Sequence, residues 1–203
     1  MKKLTMLTFA FFLTAGLAFG QNNDANIDQV NTGNEATIDQ VGEANQATIG
    51  QGENTTSFAI RTTSPTGPFS TINTGPGNAA NNNDASVDQS GYGNAALLSQ
   101  GYDGGNSQSN EALIEQTGTQ NFTNPAQGAG AYAENNYLEV LQDGYRNHAT
   151  VSQGINVNTF NSDALILQDG DHNFADVTQT GHSQFADVDQ VGNSNSANIT
   201  QSN

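Results

Sequence analysis

An 11-residue spacing runs through most of the chain and limits its possible folds more than any other feature. The motif is an Ala, an aliphatic residue two positions later, and a Gln two positions after that, as in Ala25, Ile27 and Gln29. Twelve clear copies end at Gln29, Gln40, Gln51, Gln89, Gln100, Gln116, Gln142, Gln153, Gln168, Gln179, Gln190 and Gln201. Such a recurrence predicts a repeat architecture built from one small structural unit.

The motif residues of each copy lie at alternate positions, so they share one face of a β-strand while polar residues take the other face. Each copy therefore predicts one short, half-buried strand. Further candidate core positions are Ala36, Ile38, Ala47, Ile49, Val177, Val188 and Ile199.

Corners are predicted between the strands. A Gly commonly stands two positions after the Gln, and an Asn stands three positions after that Gly; both types tolerate the positive φ of a tight corner. The candidate corner residues are Gly42, Asn45, Gly91, Asn94, Gly144, Asn147, Gly192 and Asn195. Alternation of strand and corner predicts an all-β solenoid, in which two 11-residue half-repeats close one coil of about 22 residues.

Interruptions of the spacing fit the same architecture. Extending the 11-residue step adds weaker strands at 58–62, 69–73 and 123–127, which gives fifteen half-coils and about seven two-strand coils. If the half-coils alternate between two sheets, every longer step runs from the first sheet to the second, so the insertions decorate one edge. The copy with Pro125 is the weakest, because Pro is expected only at edges or bulges.

The buried Gln residues are expected to stack into ladders. A buried amide without a partner costs about 1–3 kcal/mol, but a Gln stacked on a Gln donates and accepts along the stack, as in cross-β material. Asn and Gln make up 46 of the 203 residues. Composition alone favours disorder or a prion-like tract, but the periodicity overrules it.

Residues 1–20 have the pattern of a secretory signal peptide: Lys2 and Lys3, an apolar run, and the small-x-small site that ends at Gly20. Residues 21–203 are then the repeat domain. The chain has no Cys, which leaves neither disulfides nor a lipid-attachment site. Loss of the two lysines takes the net charge from −16 to −18. This acidity argues against nucleic acid as a partner and against binding to or insertion into a membrane. We expect outward acids such as Asp28, Asp176 and Asp187 to delay self-association.

Repeats are expected to begin within a few residues of Gln21 and to continue to Gln201. The end coils are then expected to present unpaired backbone groups, which are a template for another copy. A contact of this kind does not close and so propagates as a filament.

The series Gln-x-Gly-x-x-Asn-x-Ala-x-x-x-Gln, seen at Gln40, Gly42, Asn45, Ala47 and Gln51 and repeated along the chain, resembles the curlin repeat. The resemblance implies a structural subunit of an extracellular functional amyloid, a curli-like fibre of biofilm matrix that serves adhesion and aggregation. It implies secretion to the bacterial surface through an outer-membrane pore and seeding by a nucleator subunit. A major subunit and a minor or nucleator subunit both fit these residues.

Other classes of function find less support. His148, His172 and His182 lack zinc-site spacing, and Asp169, Asp171, Asp187 and Asp189 follow no calcium-loop pattern. The acids form no focal cluster, so no enzyme, metal or cofactor is expected. A monomeric surface-binding solenoid, of the adhesin or ice-binding type, stays open as an alternative. The outward sites Asn26, Thr37, Thr48, Leu97, Glu139 and Asp176 do not form the regular Thr array of an ice-binding face.

Overall fold

The computed structural model describes residues 22–29, 33–52, 79–102, 106–129, 131–154 and 157–203. Within these ranges the chain is all β and winds into a solenoid of parallel strands. These ranges contain no helix, and therefore none that is long and apolar enough to cross a bilayer. The predicted signal peptide and the predicted half-coils at 58–62 and 69–73 lie outside the described residues.

Seven long strands form the first face of the solenoid, called sheet 1. In spatial order they are β1 (Asp24–Gln29), β3 (Gln46–Gln51), β6 (Ala95–Tyr102), β9 (Phe122–Ala129), β12 (His148–Gln153), β15 (Phe174–His182) and β17 (Ser196–Ser202). All of their pairings are parallel, and each pairing aligns the motif Gln of one strand with the motif Gln of the next.

Six long strands form the opposite face, called sheet 2. In spatial order they are β2 (Glu35–Glu43), β5 (Asp84–Tyr92), β8 (Glu111–Thr119), β11 (Tyr137–Tyr145), β14 (Asp163–Asp171) and β16 (Phe185–Val191). These strands also pair in parallel and in motif register. The two sheets therefore present the same inward residue types to each other.

Four short strands form a third ladder, called the edge ladder, on the connections from sheet 1 to sheet 2. They are β4 (Ala79–Asn81), β7 (Asn106–Gln108), β10 (Tyr132–Glu134) and β13 (Thr159–Phe160). They pair in parallel, and β13 also pairs with Gly181 and His182 at the end of β15. The described insertions thus lie along one edge, as the sequence predicts.

The core is the interior of the solenoid. Ala and aliphatic motif residues of both sheets are buried there as one continuous cluster, which runs from Ala36 to Val188 and includes Ile49, Ile114 and Val151. Burial decreases at the two ends: in β17 the inward residues are half-buried and the outward ones exposed, and in β1 Ala25 is exposed. The alternating burial of the long strands follows the alternation in the sequence.

Coil length varies along the solenoid, and the longer coils fall at the insertions that the sequence predicts. Stacked Gln residues are 22 positions apart at both ends, as in Gln29 and Gln51 or Gln179 and Gln201. From Gln89 to Gln168 and from Gln100 to Gln179 they are 26 or 27 apart, because each of these coils also contains a strand of the edge ladder. These interior coils therefore have three sides rather than two. The steps from Gln40 to Gln89 and from Gln51 to Gln100 are 49 positions long.

The described part of the solenoid also contains fewer half-coils than the sequence predicts. Thirteen of the fifteen predicted half-coils correspond to described strands. Strand β2 pairs directly with β5, and β3 pairs directly with β6. No strand stands between them in either sheet, so the predicted count of about seven coils is not confirmed.

The strand with Pro125 differs from expectation as well. Strand β9 is central rather than at an edge, and Pro125 is buried between β6 and β12. Pairing with β12 is continuous, but the register with β6 is interrupted opposite Asn124 and Pro125. The sheet accommodates the missing N–H by giving up ladder pairing on one side only.

Candidate functional site

Two columns of stacked glutamines run the length of the solenoid. Sheet 1 carries Gln29, Gln51, Gln100, Gln127, Gln153, Gln179 and Gln201; sheet 2 carries Gln40, Gln89, Gln116, Gln142, Gln168 and Gln190. In every step the Nε2 of one Gln donates to the Oε1 of the next, at 2.7–3.0 Å. All the amides therefore point the same way, and each column is polar.

Each ladder amide from Gln40 onward also donates to a backbone carbonyl on the other side of the coil. The second N–H of Gln116, for example, reaches the Ala95 carbonyl at 3.2 Å, and that of Gln168 reaches the His148 carbonyl at 3.0 Å. A primary amide has two donors and one acceptor oxygen, so an interior Gln uses its full donor capacity. This is how a core with little apolar volume remains satisfied.

Gln127 belongs to this column, although it was not among the predicted ladder residues. It is fully buried, it accepts from Gln100 at 2.8 Å, and it donates to Gln153 at 2.9 Å. Thr and Pro stand where Ala and an aliphatic residue are usual, which hides the motif. The 11-residue step alone was enough to find it.

Asparagine columns hold the corners. The N–H of Asn94 donates to Oδ1 of Asn45 at 3.0 Å, and its own side-chain amide donates to the carbonyls of Ser90 and Gly118. The column at the corner before sheet 1 contains Asn23, Asn45, Asn94, Asn121, Asn147, Asn173 and Asn195. The column on the edge-ladder side contains Asn34, Asn83, Asn110, Asn136, Ser162 and Gln184. The sequence-based prediction missed this second column, whose signal is an Asn two positions before the motif Ala.

A glycine column stands beside the first asparagine column. Gly42, Gly91, Gly118, Gly144, Gly170 and Gly192 all have φ between 105° and 120°. A Cβ on Gly118 would overlap the carbonyl group of Gly144 in the next coil, and the same holds from Gly42 to Gly170. At Gly192, the last of the column, a Cβ would meet only Nδ2 of Asn195, at an unstrained 3.8 Å.

The family comparison bears directly on this repeated geometry. The model of the curlin associated repeat matches residues 20–52, 80–118 and 170–202, just over half of the chain. The chain belongs to the curlin repeat family. No curated protein and no solved structure matches it.

Two of the three curlin repeat segments lie at the two ends of the described solenoid. Residues 20–52 include β1, β2 and β3, and residues 170–202 include β15, β16 and β17. These are also the coils with the 22-residue step. The most regular curlin repeats therefore form the two surfaces at which the ladders stop.

The two ends of the curlin ladders offer complementary groups. At the first end, Oε1 of Gln40 is buried and has no hydrogen-bond partner among the described residues. At the other end, Nε2 of Gln190 donates to the Phe174 carbonyl at 3.0 Å and Nε2 of Gln201 to the Phe185 carbonyl at 2.8 Å. Each of these amides has a second N–H. In an interior Gln the equivalent N–H donates to Oε1 of the next Gln in the column. One end thus offers acceptors and the other offers donors.

The outer faces of the sheets are acidic. Outward carboxylates stack on neighbouring coils, as with Asp39 and Asp88 in sheet 2. Burial, and then the charge of Asp39, raise the pKa of Asp88. Burial and a hydrogen bond to Glu139 raise the pKa of Tyr137 to about 12, so its hydroxyl stays a donor to that carboxylate, at 3.0 Å.

The three histidines lie in contact with aromatic rings. His148 lies between Phe122 and Phe174, with ring centroids 4.8 and 5.2 Å apart. Burial lowers its pKa, and the charge of Asp176 opposes this effect. His172 contacts the Tyr145 ring, and His182 stacks on Phe160. The described residues contain no group of three or more His, Cys, Asp or Glu side chains that could hold a metal ion.

Proposed function

We propose that this chain is a structural subunit of an extracellular curli-type amyloid fibre, formed by end-to-end stacking of solenoids. One observation carries the proposal: the Gln ladders are polar, with acceptors at the end that begins with Gln29 and Gln40 and donors at the end that carries Gln190 and Gln201. A second copy supplies the missing partners at either end. Edges of this kind are templates for strand addition.

Membership of the curlin repeat family supports an extracellular location for this fibre. We infer that residues 1–20 direct export and that the mature chain, residues 21–203, assembles at the bacterial surface as biofilm matrix for adhesion and aggregation. An outer-membrane pore and a nucleator subunit are the proposed partners. The absence of Cys suits assembly that depends on stacked strands rather than on disulfides.

X-ray fibre diffraction of residues 21–203, incubated at neutral pH, tests the proposal. We expect a meridional reflection at about 4.7–4.8 Å, the spacing of strands stacked along a fibril. A chain that stays monomeric and β-folded would contradict the fibre and favour a surface-binding role for the edge ladder. Seeding of a curli-type subunit by substoichiometric amounts of this chain, without fibres of its own, would instead favour a nucleator.

A further inference from the structure

The described solenoid has an odd number of half-coils. Its first long strand, β1, and its last, β17, both lie in sheet 1, which has seven long strands, whereas sheet 2 has six. This imbalance has a geometric consequence for end-to-end stacking, which the proposed function requires.

A second copy placed on the first in the same orientation leaves a gap. Its β1 continues sheet 1 from β17, but its β2 then lies two strand spacings from β16 in sheet 2. One strand is missing at every junction, and the backbone groups of β16 and β2 face the gap. Unpaired N–H and C=O groups shielded from water are costly.

We propose that successive copies in the fibre are related by a rotation of about 180° around the fibre axis. The inference rests on the proposed function. The rotation exchanges the two sides of the coil, so β1 of the next copy pairs with β16 and β2 of the next copy pairs with β17. Strands on opposite sides of a coil run in opposite directions, and a half-turn also reverses each strand, so every new pairing stays parallel.

The two sheets are similar enough for this exchange. Pairing within sheet 1 aligns Ala, the aliphatic residue and Gln of successive motifs, and pairing within sheet 2 does the same. In the rotated stack Ala186, Val188 and Gln190 meet Ala25, Ile27 and Gln29 of the next copy. Likewise Ala197, Ile199 and Gln201 meet Ala36, Ile38 and Gln40 of the next copy. The inward residue types therefore match in both columns.

The rotated stack also supplies a partner for two buried oxygens that lack one. Oε1 of Gln40 and Oε1 of Gln184 are buried without a hydrogen-bond partner among the described residues. Gln201 comes one strand spacing from Gln40 of the next copy, so its Nε2 continues the ladder to that Oε1. Gln184 occupies the corner column in which a side-chain oxygen accepts the N–H of the following coil, as Asn110 does from Asn136 at 2.9 Å. In the rotated stack the following residue is Asn23 of the next copy.

The coil sizes at the junction agree. The coil that begins at Gln29 and the coils that end at Gln190 and Gln201 have the 22-residue step. The first step of sheet 2, from Gln40 to Gln89, is 49 residues long, and its extra residues come after β3. Among the described residues no strand of the edge ladder pairs with β1, β2, β16 or β17. Because each copy is turned, edge ladders project from alternate sides of the fibre.

Helical reconstruction of fibres by electron cryo-microscopy tests the proposal on the full mature chain. Thirteen half-coils at about 4.8 Å per coil predict a rise of roughly 31 Å per subunit and a rotation near 180°, apart from any twist of the coils. The edge ladders then alternate with a repeat of about 62 Å. A rotation near 0° with a rise of roughly 34 Å, as a missing strand requires, would overturn the proposal while leaving the fibre intact.

Cysteine pairs in this Cys-free chain provide a second test. In the rotated stack Asp187 lies beside Asn26 of the next copy, so N26C/D187C should form covalent oligomers in fibres with a short bismaleimide. N26C/N198C is the matched control, because Asn198 lies beside Asn26 of the next copy only in the unrotated stack. Cross-linking of the control alone overturns the rotation. If wild-type chain and both variants form no fibres, the proposed function fails and the rotation fails with it.

Discussion

The end coils and the interior coils of this solenoid are built from the same motif but differ in regularity. In the coil that begins at Gln29 and in those that end at Gln190 and Gln201, the step between stacked glutamines is 22 residues and the coil has two sides. From Gln89 to Gln168 and from Gln100 to Gln179 the step is 26 or 27 residues and the edge ladder adds a third side. Exceptions to the motif also lie in the interior coils: Pro125 replaces the aliphatic residue of one copy, and Leu138 replaces the Ala of another.

This difference is what end-to-end assembly predicts. An interior coil meets only neighbours of its own chain, which can carry matching insertions, as the strands of the edge ladder do. In such an assembly an end coil would have to fit the opposite end of another copy, so any change there would have to suit two surfaces at once. We therefore expect substitutions in the interior to change stability and equivalent substitutions at the ends to change fibre growth.

The largest expected effect is at the glycine column. In Gly118→Ala the new Cβ lies against the carbonyl of Gly144, and the φ of residue 118 itself is 107°. The atoms that this Cβ meets belong to the backbone, which cannot move aside as a flexible side chain could. We expect a loss of more than about 4 kcal/mol in the free energy of unfolding, enough to leave the chain unfolded. Gly192→Ala has the same type of φ but no contact shorter than 3.8 Å, so strain alone should cost about 1–3 kcal/mol.

Circular dichroism during chemical unfolding of the two variants measures this contrast. Folded Gly192→Ala is also expected to elongate slowly on wild-type seeds, because its new methyl group projects toward the next copy. Equal destabilisation of both variants would show that the end corner is as constrained as an interior one.

The next largest effect is expected in the glutamine ladder. Gln116→Ala leaves Gln89 without its acceptor and Gln142 without its donor, each in a buried site. We expect a loss of about 2–5 kcal/mol, since each unsatisfied buried group costs about 1–3 kcal/mol. Gln201 is half-buried and has one ladder neighbour, so Gln201→Ala should lower stability by less than about 1.5 kcal/mol.

Substitutions of the end glutamines are expected to affect seeded fibre growth more than they affect stability. Chains with Gln190→Ala and Gln201→Ala together should elongate slowly on wild-type seeds, because the donors for the next copy are gone. Seeds and monomers of each type, mixed in all four combinations, identify which end is affected. Unaltered elongation in every combination would show that growth does not use this end.

Much of this arrangement could be predicted from the sequence because the motif repeats at a fixed step. Alternation of Ala, an aliphatic residue and Gln defines strand, face and register together, which is why Gln89 lies over Gln116 although the two are 27 residues apart. The prediction that the insertions share one edge follows from the same 11-residue step, because successive half-coils alternate between the two sheets. Membership of the curlin repeat family is confirmed, whereas the fibre roles of the individual residues stay predictions.

The parts that could not be predicted depend on contacts that have no fixed spacing. The edge ladder forms from segments without a common motif, such as Asn106–Gln108 and Tyr132–Glu134, whose backbones meet only because the long strands place them side by side. Leu97 lies outside the main core, as an outward site should, but it is buried with Ala95 and packs against the partly buried Phe122. Neither feature has a periodic signal in the sequence.

A smaller effect on stability is expected from pH. His148 lies in an interior coil between Phe122 and Phe174, and burial holds its pKa below the usual 6.5 in the folded state. The unfolded chain therefore binds the proton more readily, so the free energy of unfolding should fall as pH drops from about 6.5 toward the folded pKa and should level off below it. Thermal melts between pH 8 and pH 5 measure this change.

The variant His148→Phe should remove that part of the pH dependence, because a Phe continues the aromatic column without a titrating group. His172→Asn is the matched control, since His172 is exposed at a corner with positive φ that Asn tolerates. An unchanged pH profile in His148→Phe would assign the effect to another group.

The smallest effect is expected from the acids at the junction. In the rotated stack Asp189 lies beside Asp28 of the next copy, the arrangement that Asp39 and Asp88 have within the chain. Repulsion between these carboxylates slows the approach of two ends at neutral pH, and salt screens it. We therefore expect the lag before fibre growth to shorten as salt rises or as pH falls toward the range in which carboxylates bind protons.

Asp28→Asn combined with Asp189→Asn should shorten the lag by a few-fold at low salt and make it nearly independent of salt. Glu111→Gln combined with Glu115→Gln is the control, because it removes the same number of exposed carboxylates from β8, an interior strand of sheet 2. Thioflavin fluorescence at several salt concentrations measures the lag in each case. If the control shortens the lag as much as the double variant, net charge rather than contact at the junction sets the rate, and the end and interior coils do not differ in this respect.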